Sequence, residues 1–437
     1  MKRKIAAVAA IAATLLGAAA CGSNSDEDAP TTSASGKVDG TGKTLKVWLM
    51  VDAQSAWKNV VDDASKRFTD ATGATVNVEY QQWANHLTKL DATLAGSDVP
   101  DVVELGNTEF PKYVFSGAFG AVNPADYENS DSWLQGLKGA CDFEGKTYCV
   151  PYYAGARVLI YRTDLLKKVG AEAPKSYDEF LATAEKVQNA EKANSKFGAV
   201  YMPGQYWYAA MSWVKSTGGD IAKQEGDKWV GQLSQPQSIE GLQRWVDMVK
   251  KYSKADPTKN ENDQANTFAQ GTAAMFYGNA WEQGAAEETK KDPNNPDSPL
   301  VPTKVKGKLA AAPMPEVPSF LGGSNLGITE KSQQKELAAQ WIKAFTDSTS
   351  MAGLVKANAL PNATALLDKA AADNKTIAPA ALAAKNSWFP PNAEKWADVE
   401  KGAVLQTMLT DVLTGKKSVA DGAKWADDQI NTTLNES

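Results

Sequence analysis

Residues 44–105 alternate without a break between short apolar runs and amphipathic helical stripes, and this alternation narrows the fold more than any other stretch of the 437-residue chain. A strand is expected over 45–50 (LKVWLM). A helix should follow, with Trp57, Val60, Val61, Ala64 and Phe68 on one stripe and its end near Gly73. Residues 76–80 (VNVEY) form a second expected strand. A helix carrying Leu87, Leu90 and Leu94 then ends near Gly96, and 102–105 (VVEL) make a third, short, buried strand. A β-α-β-α-β opening predicts an α/β fold with a parallel, doubly wound sheet. Ligands of such sheets sit beyond the carboxyl ends of the strands. That rule points to the loops holding Asp52, Gln82 and Trp83, and Asn107, Thr108 and Glu109.

A second run begins with a strand at 158–162, followed by helices over 177–187, 209–215 and 239–252. Residues 273–277 read as a strand that closes on Gly278-Asn279-Ala280-Trp281. The proline-rich stretch 291–303 reads as surface loop, Gly322-Gly323-Ser324-Asn325 as a glycine-rich segment, and 335–345 as the first helix of a mostly helical C-terminus. No repeat with a period of 20–50 residues is visible. At ~150 residues per domain the length suggests two or three domains.

The first 20 residues carry Lys2, Arg3 and Lys4, an apolar run over 5–16 that is too short to span a bilayer, and the small residues 17–20. This is the layout of a secretory signal peptide. Leu16-Gly17-Ala18-Ala19-Ala20-Cys21 resembles a bacterial lipobox, which implies lipidation of Cys21 and placement on the extracellular face of the cell membrane. Removal of 1–20 lowers the net charge from −6 to −9. Residues 21–42 are Ser-, Thr-, Gly- and Asp-rich and read as a flexible tether. Of the three cysteines, Cys141 and Cys149 then remain, flanking a turn at Glu144-Gly145-Lys146. A disulfide across this hairpin is expected in an oxidising compartment, with two free thiols as the alternative.

Thirteen tryptophans are the compositional surplus. Trp57, Trp245, Trp341 and Trp425 fall on helical stripes and read as core. Trp83, Trp207, Trp281 and Trp388 fall in the loop-like segments QQWAN, PGQYWY, YGNAWEQG and KNSWFPP, which periodicity does not explain. Singly, each is as fit to plug a crevice as to meet a ligand. Together they suggest a polar-aromatic cleft, in which flat rings stack on pyranose faces while amides and carboxylates bond the hydroxyls.

The segments TLKVWLM, RFTDATGATVNVEYQQW, PDVVELGNTEF, GKTYCVPYYAGARVLIYRTDLLKK, SYDEFLATAEKV, TAAMFYGNAW and GGSNLGI occur in an order that resembles the extracellular solute-binding proteins of bacterial sugar ABC importers. The likeness is to their family 1, the maltose-binding-protein class, and within it to actinobacterial sugar-binding lipoproteins. It spans roughly residues 44–437.

The resemblance implies a periplasmic-binding-protein-like fold: two α/β lobes joined by a hinge, with an oligosaccharide bound in the cleft between them. Lobe 1 is expected over 43–153 and 319–362, lobe 2 over 154–318 and 363–437. The resemblance carries substrate contacts onto Asp52, Trp83, Asn107, Glu109, Tyr153, Arg157, Trp207, Trp281, Ser324 and Asn325, with Trp388 in a variable segment. It further implies a monomer docking on ABC permease subunits, with no cofactor, metal or catalysis. The ligand it favours is a β-linked or amino-sugar disaccharide.

The strongest rival is a secreted glycoside hydrolase or lyase, which needs a carboxylate pair ~5–10 Å apart, and Asp52, Glu104 and Glu109 could supply one. Glu104, however, alternates within a buried strand. A phosphate-binding loop is excluded, because Gly42-Lys43-Thr44 and Gly145-Lys146-Thr147 have Lys37 and Ala140 where the leading glycine must stand. His86 is the lone histidine, and no G-x-S-x-G elbow accompanies it, which argues against a serine hydrolase. The acidic balance argues against nucleic acid. A surface adhesin would share the lipid anchor without needing a hinge.

Overall fold

The computed structural model describes residues 31–262, 264–291 and 298–436. The signal segment 1–20, the lipidation site Cys21 and the tether up to residue 30 lie outside the described residues.

The alternating opening folds as its pattern dictates. Strand β1 (Thr44–Met50) pairs in parallel with β2 (Thr75–Gln81) and with β3 (Val102–Gly106). Leu45, Val47, Trp48, Leu49 and Met50 are buried, because a central parallel strand is covered on both faces. Helix Lys58–Thr72 buries Val60, Val61, Ala64 and Phe68 against this sheet. Two features depart from the expected boundaries. Asp52 lies not in a loop but in a short helix, Val51–Ser55, that follows β1 at once. Trp57 stands just before the next helix rather than on its stripe.

Two long antiparallel strands then carry the sheet onward. The first crossing strand, Val150–Arg162, begins eight residues before the expected 158–162 segment. The second is Ser319–Ile328. They pair from Leu321↔Ala156 to Leu326↔Val150, with the register shifting between Ser324 and Asn325. The inner half of the second crossing strand pairs with β3. The outer half of the first pairs with Ala273–Asn279, which in turn lies parallel to Gly198–Tyr201. The described residues thus form one nine-stranded sheet, with a lobe at each end and only these two strands common to both in the sheet.

Separate cores support the lobes. One packs Trp57, Tyr152, Trp341 and Phe345 around β1. The other packs Trp213, Trp245, Tyr277, Trp388 and Trp396 beneath the far half of the sheet. Helices Thr364–Asp373 and Ala378–Ala384 lie in a third core against the first crossing strand. Cys141 and Cys149 form a buried disulfide across the small hairpin, with Glu144 and Gly145 at positive φ in its turn.

The flexible-tether expectation fails for residues 31–36. Thr32 bridges Val122, Ser33 Oγ and the Ala34 N–H donate to Asp126, and Gln340 Nε2 donates to the carbonyls of Ala34 and Gly36. Ala34 is buried in the first core. A single small apolar side chain and a row of backbone bonds hold a segment that composition alone describes as free.

Gly323 in the second crossing strand has φ +145°, and a Cβ there would stand 2.2 Å from the Tyr153 carbonyl oxygen and 2.9 Å from Ala154 Cα. Gly323→Ala should therefore cost about 3 kcal/mol or more in urea unfolding. Gly322→Ala, crowded mainly by the movable Arg157 guanidinium, should cost less. Equal and small losses at both positions would show that the strand pair does not need the close approach.

Candidate functional site

The carboxyl end of β1, the loops after β2 and β3, and both crossing strands meet at a cleft of about 430 Å³. This is within the range of small-molecule sites.

The first wall is tied together by side chains. Trp83 Nε1 donates to Asp52 Oδ2 at 2.5 Å. His86 opens the helix His86–Ala95, with Nε2 3.0 Å from Glu109 Oε2 and Nδ1 2.8 Å from the Trp83 carbonyl. Its ring meets Trp83 edge-on at 5.2 Å. Glu109 Oε2 also accepts the Gly106 N–H. Burial alone would lower the His86 pKa, but the Glu109 carboxylate and the Trp83 carbonyl hold it above its ordinary value. The lone histidine is thus a brace between two cleft loops.

The crossing strands supply the floor. Tyr153 meets Trp57 at 5.0 Å and receives the Ser324 hydroxyl at 3.4 Å. Gly155 leaves room for Trp281, since a Cβ there would fall 2.5 Å from the indole Cζ3. Arg157 is buried between the rings of Tyr208 and Phe320, which with Asn279 and Trp281 form the second wall.

Of the expected contacts, Asp52, Trp83, Asn107, Glu109, Tyr153, Arg157, Trp281 and Ser324 line this cleft. Asn107 spends its amide inside the protein, donating to the Gly136 and Leu321 carbonyls. Three expectations are corrected. Trp207 is buried and packs against Phe320, Trp388 and Trp396. Trp388 pairs alongside Phe320 and donates from Nε1 to Ser212. Both rings back Tyr208 and Phe320 without reaching the cleft. Asn325 turns inward past the register shift, and its Nδ2 donates to the Leu137 carbonyl.

Sequence reasoning missed Tyr208, Phe320, Asn279, Asn358 and Trp57. Tyr208 adjoins Trp207, and Asn279 lies within the GNAW segment already singled out. The carboxylate candidates are also constrained. Glu104 lies buried below the floor and takes the Met50 N–H, while Asp52 and Glu109 are bonded to Trp83 and His86.

A family model described as "Bacterial extracellular solute-binding protein" matches residues 63–385. The chain belongs to this family, whose members bind solutes outside the cytoplasm. It is 33% identical to the diacetylchitobiose binding protein DasA of Streptomyces coelicolor over 443 residues, covering 99% of each chain. A probable ABC transporter-binding protein of Deinococcus radiodurans is 29% identical over 46% of this chain and 48% of its own. Among solved structures, the sugar-binding protein MalE of Xanthomonas citri superposes with a TM-score of 0.75 at 18% identity, covering 90% of this chain and 97% of its own. The GacH receptor of Streptomyces glaucescens gives 0.73 at 20%, covering 90% and 99%.

Three carboxyls with raised pKa values stand near the site, Glu104 buried and Glu282 and Glu400 half-buried. Burial pushes Glu104 up to about 7 against the Met50 N–H that favours its anion. Burial likewise lifts Glu282 to about 7 and Glu400 to about 8. Each folded value stands above the ordinary 4.5, so the folded chain keeps protons that the unfolded chain has released. Their contribution to stability is full below about pH 4.5 and is lost as pH rises toward 8. One carboxyl raised this far accounts for on the order of 3 kcal/mol of the decline. Urea unfolding at pH 5 and pH 8 should show the fall, and Glu104→Gln should remove part of it. An unchanged pH slope in that variant would mean that Glu104 is ionised in the fold.

Proposed function

We infer that this chain is the substrate-binding component of an ABC importer, capturing a di- or oligosaccharide between its lobes and delivering it unchanged to a permease. The observation that carries this reading is the pair Trp83 and Trp281, which are 38% and 45% exposed although most of the chain's large apolar side chains are buried. Both face one cleft, whose lining also offers the carboxylate of Asp52 and the amide of Asn279. Flat exposed rings beside hydrogen-bonding groups suit pyranose faces and their hydroxyls. The related diacetylchitobiose binding protein supports a di- or oligosaccharide as ligand.

The reading involves no chemistry on the sugar. Ligand held by one lobe recruits contacts from the other and shifts the population toward the closed form, which then docks as a monomer on the permease. The glycoside hydrolase alternative gains nothing from the family match. The crossing strands Val150–Arg162 and Ser319–Ile328 are the hinge in this reading. Cys21 is its lipid anchor on the outer face of the membrane, and the mass of the mature chain tests this. Loss of residues 1–20 with added acyl mass is expected, whereas an unmodified Cys21 would refute it.

Calorimetry against xylobiose, cellobiose, maltose and N,N′-diacetylchitobiose, with chromatography of the recovered sugar, tests the function. Saturable binding with intact sugar is expected; released monosaccharide would overturn the reading. Trp281→Ala should weaken the best ligand about 10- to 100-fold. Its melting temperature should stay near wild type, because the ring is nearly half exposed. A large loss of stability instead would make Trp281 a packing residue.

A further inference from the structure

Arg157 is a buried cation that Glu261 and Glu282 influence only from beyond direct contact. Among the described residues no carboxylate stands within ion-pair distance of it. Its guanidinium lies 5.0 Å from the Tyr208 ring centre and 4.5 Å from that of Phe320, and Nε donates weakly to the Tyr206 hydroxyl at 3.4 Å. The side chain nevertheless lines the cleft. No hydrogen bond to a described residue engages its terminal N–H groups, so they are left to the cleft, where a ligand acceptor could take them.

Directly opposite stands Asn279, paired with Arg157 in the antiparallel register. Residues so opposed project from the same face, about 5 Å apart at Cβ. Asn279 Oδ1 is buried with no hydrogen-bond partner, and the residue also lines the cleft. Gly155, two positions before Arg157 and on its face, carries the Trp281 ring. One corner of the cleft therefore combines donors open to the cleft, an unsatisfied acceptor and an exposed indole.

We propose that this corner reads a neutral acylamino group on the sugar, whose carbonyl accepts from Arg157, whose N–H donates to Asn279 Oδ1, and whose methyl packs on Trp281. The proposal rests on the sugar-binding reading above and names the ligand's distinguishing group. A hydroxyl fills the space with poorer complementarity to the two groups. An ammonium is repelled by Arg157. A carboxylate suits Arg157 but faces the Asn279 oxygen and adds charge to a cleft that already holds Asp52 and Glu109.

Calorimetry on the wild type compares N,N′-diacetylchitobiose with cellobiose, its counterpart bearing hydroxyls, and with deacetylated chitobiose. The acetylated sugar should bind at least about 100-fold more tightly than either. Arg157→Lys and Asn279→Asp, each checked for folding by circular dichroism, should reduce the acetylated-to-cellobiose ratio below about 10-fold. Cellobiose binding as tightly as the acetylated sugar to the wild type would overturn the proposal and leave the sugar-binding reading intact. So would variants that weaken both sugars in proportion, which is the mark of a structural role. Saturable binding of none of the sugars would overturn both.

Discussion

The antiparallel pairing of Val150–Arg162 with Ser319–Ile328 is the contact on which the rest of the molecule depends. Each strand enters the sheet of one lobe at one end and of the other lobe at the opposite end, so two cores are joined by one hydrogen-bonded ladder. Where the strands pass between the cores, Gly322 and Gly323 oppose Gly155 and Ala154. Small residues there let the backbones run close and leave the space above the ladder empty. The cleft is that space. Its floor is the connection itself, so a change in the angle between the lobes also changes the cleft.

Side chains from both lobes are braced before any ligand arrives. On the first wall, His86 fixes the Trp83 backbone with one nitrogen and Glu109 with the other, while Asp52 holds the Trp83 indole. On the second, Tyr208 and Phe320 enclose Arg157 and are themselves backed by Trp207 and Trp388. Such bracing lowers the ordering cost of binding, since rotamers are set in advance. It also explains why a chain with one histidine uses it here. A group able to engage a carboxylate and a carbonyl at once joins two loops that no strand connects.

The parallel opening, the disulfide hairpin and most of the helices were legible in the sequence, because apolar spacing and strand–helix alternation are local signals. The start of the first crossing strand was not. Pro151, Ala154 and Gly155 are poor strand formers taken one by one, and the strand exists there because its partner ladder covers it. The site was legible at strand ends and less so on helices. Trp207 and Tyr208 are neighbours on one helix, and the position of that helix over the sheet decides which of them meets the cleft. Ser324 and Asn325 divide for a similar reason, at a register shift that no side-chain pattern announces. Trp57, buried just ahead of its helix, shows that a core residue can also form a cleft wall.

If the crossing strands act as a hinge between two preformed walls, ligand must change the shape of the whole chain. Small-angle X-ray scattering with and without a saturating disaccharide measures this directly. A smaller radius of gyration at saturation, reversed when the sugar is removed, is the predicted result. Superimposable scattering curves at demonstrated saturation would contradict capture by lobe closure.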